Sequence, residues 1–195
     1  ERLWVTTSLR GLAAGELVVE ILTEGVHSGE AGGVVPSSFR IARMLLDRIE
    51  DPATGELLLP ELRAEIPDDR VAQAQVTAAE FPIGGHFPFV EGARPAVDDH
   101  VEQLLARTWR GSLSVVGASG LPLPEHAGNV LRPFTTLQLS LRLPPTCDPD
   151  LAIAAVERAL TTDPPYGARV SFRHPQAGPG WNAPSFAPWL QEALD

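Results

Sequence analysis

Cysteine is nearly absent from this sequence of 195 residues: Cys147 is the only one, so no internal disulfide can form. That usage fits a reducing, cytoplasmic setting, and a lone thiol of this kind reads as structural. No apolar run approaches the roughly 18 residues that a membrane-spanning helix needs. Excess positive charge is also missing. The formal charge is −10, the opposite of a nucleic-acid-binding surface, and its plain reading is solubility. The N-terminus Glu1-Arg2-Leu3-Trp4-Val5 has no initiator Met, no signal segment and no cleavage pattern, so the chain reads as cut from something longer.

Several catalytic signatures are missing too. None of the histidines has a His, Cys, Asp or Glu at metal-ligand spacing, so no metal site is expected. Asp68-Asp69 and Asp98-Asp99 read as helix N-terminal charges. Gly117-Ala118-Ser119-Gly120 is not a nucleophile elbow. The glycine-rich stretch at 29–33 lacks the lysine of a phosphate-binding loop and has the wrong spacing for a dinucleotide fold. His86, His100, His126 and His174 stand in Pro- or Asp-rich contexts without partners.

What is present is pattern. With 44% hydrophobic residues the chain can build the core of one ordinary domain. Residues 16–24 read as a strand after an extended lead-in at 3–9. A helix is expected from Pro36 to Ser38 onward, with Val35, Phe39, Ala42, Leu45, Leu46 and Ile49 at helical spacing, ended by Asp51-Pro52 and Gly55. Residues 56–100 read as an insertion of short acidic helices, with a loop at 81–89 and a helix from about 96 to 108. Residues 112–116 form a short strand. Residues 135–143 alternate, with Leu137, Leu139, Leu141 and Leu143 on one face and Thr136, Gln138, Ser140 and Arg142 on the other. Asp148-Pro149 starts a helix with the stripe Ala152, Ala155, Val156, Ala159 and Leu160. A last strand at 168–173 is followed by a linker from His174 to Gly180 and a short helix at 184–195. The expected fold is α+β: a two-layer, ferredoxin-like βαββαβ sandwich. Its four-stranded antiparallel sheet has helices on one face and a polar open face, plus the helical insertion. Residues 1–13 read as a lead-in, 14–175 as the domain proper and 176–195 as linker and tail.

The stretch Gly25-Val26-His27-Ser28-Gly29-Glu30-Ala31-Gly32-Gly33 places a histidine in a glycine-rich turn between strand and helix, where it can come close to whatever lies opposite. Arg142, Arg169 and Arg173 fall on the open sheet face, where planar guanidinium groups suit anion or carboxylate recognition. Taken alone, the histidine reads first as a surface or turn residue and the arginines as a solvated sheet face.

In order and spacing, these pieces resemble the lid, or dimerisation, domain of the zinc aminopeptidase-like family. That family includes carnosinase-type dipeptidases, aminoacylase, acetylornithine deacetylase and succinyl-diaminopimelate desuccinylase. His27-Ser28-Gly29-Glu30-Ala31-Gly32-Gly33 is similar to its His-Ser-Gly-x-x-Gly-Gly turn. The run from Thr108-Trp109-Arg110 to Gly117 is similar to the Trp-led strand of the dipeptidase branch. Asn129-Val130-Leu131-Arg132-Pro133 is similar to an Asn/Thr-Val-Ile-Pro element, with its proline one place late. Arg142-Leu143-Pro144-Pro145 is similar to an Arg-Leu-x-Pro strand end. The resemblance spans about residues 10 to 175.

It implies the dimerisation and substrate-capping domain of a metal-dependent peptidase or amidohydrolase. His27 would donate to the developing oxyanion in a partner subunit's site. Arg142 would hold the substrate carboxylate with Asn129 assisting, and Gly29, Gly32 and Gly33 would permit close approach. The substrate would be a dipeptide or N-acyl amino acid. The two divalent metals, zinc in the family, and the catalytic glutamate would belong to a separate catalytic domain, so this chain would be inactive alone. A homodimer is the expected partner state, with neither nucleic acid nor membrane involved. The alternative is a ferredoxin-like regulatory module that holds a small anion through Arg142, Arg169 and Arg173.

Overall fold

The computed structural model describes residues 4–81, 83–185, 187 and 189. Its centre is a four-stranded antiparallel sheet in the order β4-β6-β2-β7. The strands are β2 (Gly11–Glu20), β4 (Ser112–Ser119), β6 (Phe134–Leu143) and β7 (Arg169–Gly178). Helices α2 (Ser38–Leu46) and α5 (Pro149–Thr161) pack on one face. The chain order β2-α2-β4-β6-α5-β7 with this strand order is the ferredoxin-like two-layer sandwich that the periodicity predicts.

The core lies between sheet and helices. Leu137, Leu139, Leu141 and Leu143 of β6 are all buried, as alternation requires, and meet Ile41, Ala42 and Leu45 of α2 and Ala152, Val156 and Leu160 of α5. Asp148 caps α5 by accepting from the backbone N–H groups of Asp150 and Leu151. Ser38 ties the start of α2 to β6: its hydroxyl lies 2.8 Å from that of Thr135, and both side chains are buried.

Four local readings are corrected. The first strand is Gly11–Glu20 rather than 16–24. Gly15 lies inside it because the Phe172 ring occupies the space of its side chain, and a Cβ there would sit 2.3 Å from Phe172 Cζ. The final strand runs on to Gly178 through the expected linker. An edge strand tolerates Pro175, and His174, at φ 51°, takes up the irregularity. On α2, Ile41 is buried whereas Phe39 is largely exposed, so the inward stripe is Ile41, Ala42 and Leu45. The expected short acidic helices contain one of 13 residues, α3 (Asp68–Glu80), which buries Arg70, Ala74 and Ala78 at spacing four.

The insertion packs as a unit. Helix α3 lies on α4 (His100–Thr108), which begins later than the expected residue 96. Arg70 is buried because every arm of its guanidinium is used. It donates to Asp69, Gln73, the side chain of Asn182 and the carbonyl of Ala183. Those last two acceptors belong to or follow β8 (Trp181–Asn182), which pairs with β1 (Ser8–Leu9) in a small separate sheet. The expected terminal helix at 184–195 falls largely outside the described residues. No helix among them is long and apolar enough to cross a membrane.

Candidate functional site

His27 closes a two-residue strand, β3 (Val26–His27), which pairs with β5 (Val130–Leu131) just before β6 begins. It is also the N-cap of the four-residue helix α1 (Ser28–Ala31). The ring is exposed, and its Nδ1 accepts the backbone N–H of Gly29 at 3.1 Å. That bond fixes the neutral tautomer: with Nδ1 acting as acceptor, the proton is on Nε2, and Nε2–H is left as an outward donor. Glycine eases this approach, because a Cβ at position 29 would sit 3.0–3.1 Å from ring atoms Cε1 and Nδ1 and the ring would have to give by a few tenths of an ångström. Gly32 closes the turn so tightly that a Cβ would meet Ser28 O at 2.5 Å, and Gly33 follows at φ 87°.

Asn129 is brought beside His27. Its carbonyl accepts the N–H of Ser28 at 2.8 Å, and Val130 is the ladder partner of His27. Its side chain is in the exposed part of the loop. Arg132, which stands before the displaced proline, donates from Nε to the carbonyl of Gly120 at 3.0 Å. The carbonyl of Pro133 still anchors the end of β2 by accepting from Ile21 and Leu22.

Arg142 is exposed on the sheet face away from α2 and α5, between Leu12 and Ser112 in register. It does not join His27. From Phe134, at the His27 end of β6, to Arg142 the strand runs about 25 Å. The structure therefore unites His27 with Asn129 and separates both from Arg142.

The other two sheet arginines do not converge on Arg142. Arg169 forms a two-pronged ion pair with Glu20, at 2.7 and 2.8 Å, at the opposite end of the sheet. This contact holds the Glu20 carboxyl below its ordinary pKa. Arg173 donates to Ser171. The cation that feels the charge of Arg142 is Arg10, which also feels that of Arg107. The pKa of Arg10 is lowered first by burial, then by the charges of Arg142 and Arg107. Sequence reasoning missed this group. Arg10 precedes β2 and shares the even-numbered parity of its open face, but only the pairing of β2 with β6, with Leu12 opposite Arg142, shows that it lies toward the Arg142 end of the sheet.

Among the described residues no group of three or more His, Cys, Asp or Glu is placed to hold a metal ion. The two divalent metals implied by the resemblance thus have no donor set among the described residues.

No family model matches this sequence, and no curated protein matches it. Solved structures do. Dug1p, a di-peptidase from Saccharomyces cerevisiae, is 20% identical with a TM-score of 0.69 over 96% of this chain and 40% of that one. Human carnosine dipeptidase 1 is 19% identical with a TM-score of 0.70, covering 94% of this chain and 41% of its own. The M20 family metallo-carboxypeptidase Sso-CP2 from Sulfolobus solfataricus is 14% identical with a TM-score of 0.65, covering 87% and 39%. The chain thus has the fold of a part of each, spanning about two fifths of their length.

Proposed function

We propose that this chain is the lid and dimerisation domain of a metal-dependent hydrolase of dipeptides or N-acyl amino acids, with its catalytic centre carried elsewhere in the parent protein. The observation that carries the reading is the state of His27. An exposed imidazole, tautomer-locked by Gly29, offers a preset N–H donor at the rim of the fold. A preorganised donor aimed at a developing oxyanion lowers the barrier by roughly 3–4 kcal/mol. Asn129, alongside, adds a neutral amide donor. Arg142 supplies a planar cation for the substrate carboxylate.

The separation of His27 from Arg142 constrains how they act. A dipeptide spans about 7 Å when extended, so the two residues of one copy cannot touch the same molecule. In a two-fold dimer each centre takes His27 from one copy and Arg142 from the other. The edge strand β4 supports such pairing in that residues 112–119 carry no charge and no proline, with a bulge at Val116 as its one irregularity against β6. Helix α2 lies over β2 and β6, on the β4 side of α5.

Complementation tests this. In the parent hydrolase, His27→Ala and Arg142→Gln are each expected to lower kcat/KM by a hundredfold or more, in line with roughly 3 kcal/mol per preorganised contact. Mixed dimers of the two variants contain one intact centre, so equal mixing should restore about a quarter of wild-type activity. Absence of rescue, with heterodimers demonstrated, would exclude the crossed arrangement. Unchanged activity of His27→Ala would exclude the oxyanion role.

A further inference from the structure

Arg10 and Arg107 form a second feature that the reading above does not use. Arg10 Nη1 donates to the carbonyls of Ala106 and Arg110, both at 3.1 Å, and to Ser112 Oγ at 3.3 Å. One nitrogen thus moors the guanidinium to the C-terminal end of α4 and to β4. Among the described residues Nε and Nη2 have no acceptor. Arg107, exposed in the last turn of α4, joins no ion pair among the described residues, and neither Arg10 nor Arg142 does.

Both arginines line a cavity of about 330 Å³ whose remaining lining is largely apolar and includes Ile83, Phe87, Phe89 and Val97. Rings Phe87 and Phe89 meet edge to face at 6.2 Å. No Asp or Glu lines the cavity. The chain, however, holds 25 acidic residues against 15 basic ones, every one of them arginine. In such a chain two neighbouring guanidinium groups without a carboxylate are an uncompensated positive site. The partial burial of Arg10 adds to its need for an anion. The volume is that of a small-molecule pocket, and the combination of aromatic wall and fixed cations selects an amphipathic anion.

We propose that this cavity binds a small monocarboxylate with an aromatic or branched aliphatic tail, its carboxylate between Arg10 and Arg107 and its tail against Phe87 and Phe89. The proposal stands apart from the hydrolase reading, since neither arginine belongs to the His27 and Arg142 constellation.

Titration calorimetry of the 195-residue chain with 3-phenylpropanoate, 3-phenylpropanamide and inorganic phosphate tests it. The carboxylate is expected to bind saturably. The amide, which cannot engage a guanidinium as an ion, should bind roughly tenfold or more weakly. Arg107→Gln makes no contact that the fold needs and should weaken the carboxylate by a similar factor. Phe87→Ala should weaken it too, with an unchanged urea midpoint confirming that the fold persists. Equal binding of amide and carboxylate would overturn the proposal, as would an unaltered affinity in Arg107→Gln. Phosphate binding as tightly as phenylpropanoate and insensitive to Phe87→Ala would overturn the apolar-tail assignment. A greater loss in Arg142→Gln than in Arg107→Gln would move the anion to the sheet face and overturn the site. No saturable binding up to about 10 mM, an affinity weaker than roughly 3 kcal/mol, would also overturn it.

Discussion

The free nitrogen of His27 is set by a single backbone N–H, so the smallest change at Gly29 should be felt at the ring. A Cβ on Gly29 lies close enough to Cε1 and Nδ1 to force the imidazole aside. Gly29→Ala is therefore expected to release the tautomer lock. Long-range nitrogen–proton NMR correlations would show Nε2–H dominating in the wild type and a mixture of tautomers in the variant. A second residue-scale effect concerns Glu50. Burial raises its carboxyl pKa, against the opposing hydrogen bond from the Leu113 backbone. The folded state then holds the proton more tightly than the unfolded chain, so stability falls as pH rises from the ordinary carboxylate value of 4.5 through the raised folded value. Glu50→Gln should be more stable than the wild type at pH 7, and the gain should vanish near pH 4. Urea midpoints at the two values check this. Ser38 and Thr135 illustrate the opposite case of a buried pair that is fully satisfied. Ser38→Ala leaves the Thr135 hydroxyl buried without that partner and should cost about 1–3 kcal/mol in urea unfolding.

At the scale of elements, β6 carries the most weight, since its four leucines face both helices. Leu139→Ala at its middle is expected to cost about 2–5 kcal/mol, read as a lowered urea midpoint with an unchanged slope. β6 and α5 were also the most legible in the sequence, for the same reason. Each buries one clean face, so period 2 and period 3.6 survive in the residue order. The ends of β2 and β7 are not legible in the sequence because the deciding contacts are between strands: Gly15 is held in β2 by its ladder with Leu139, and the space for its side chain is taken by Phe172. Helix α3 reads weakly because its inward stripe consists of small alanines and one arginine satisfied by distant acceptors. The candidate site divides likewise. The turn of His27 is local and visible in the sequence, and Asn129 joins it through a two-residue ladder. The distance from His27 to Arg142 follows from strand pairing across more than a hundred positions, and the approach of Arg107 to Arg10 from the mooring of Arg10 on the end of α4. No local pattern encodes that.

For the whole molecule the open question of assembly centres on β4. Its neighbour β6 satisfies one side; on the other, the Leu113 backbone bonds the Glu50 side chain, and among the described residues no further strand pairs along this uncharged edge. Val116 is 63% exposed and Val115 46% exposed, so apolar surface accompanies the free edge. The Ser119 end of this strand pairs with Thr136 near the start of β6, the same end of the sheet at which β3 and β5 hold His27. A second copy paired antiparallel along β4 would extend the sheet across a two-fold axis and bring its own His27 turn to the rim of the dimer. A lysine at Val116 sets like charges against each other near that axis and opposes close pairing. Light scattering over a concentration series is therefore expected to give twice the chain mass for the wild type. Val116→Lys should give the monomer mass, with the urea midpoint of the monomer unchanged because Val116 contributes little to the core. A wild type that stays monomeric throughout would remove dimerisation from the proposed role. A Val116→Lys variant that still dimerises would move the interface from β4 to another face, with the crossed use of His27 and Arg142 then to be judged by the complementation result alone.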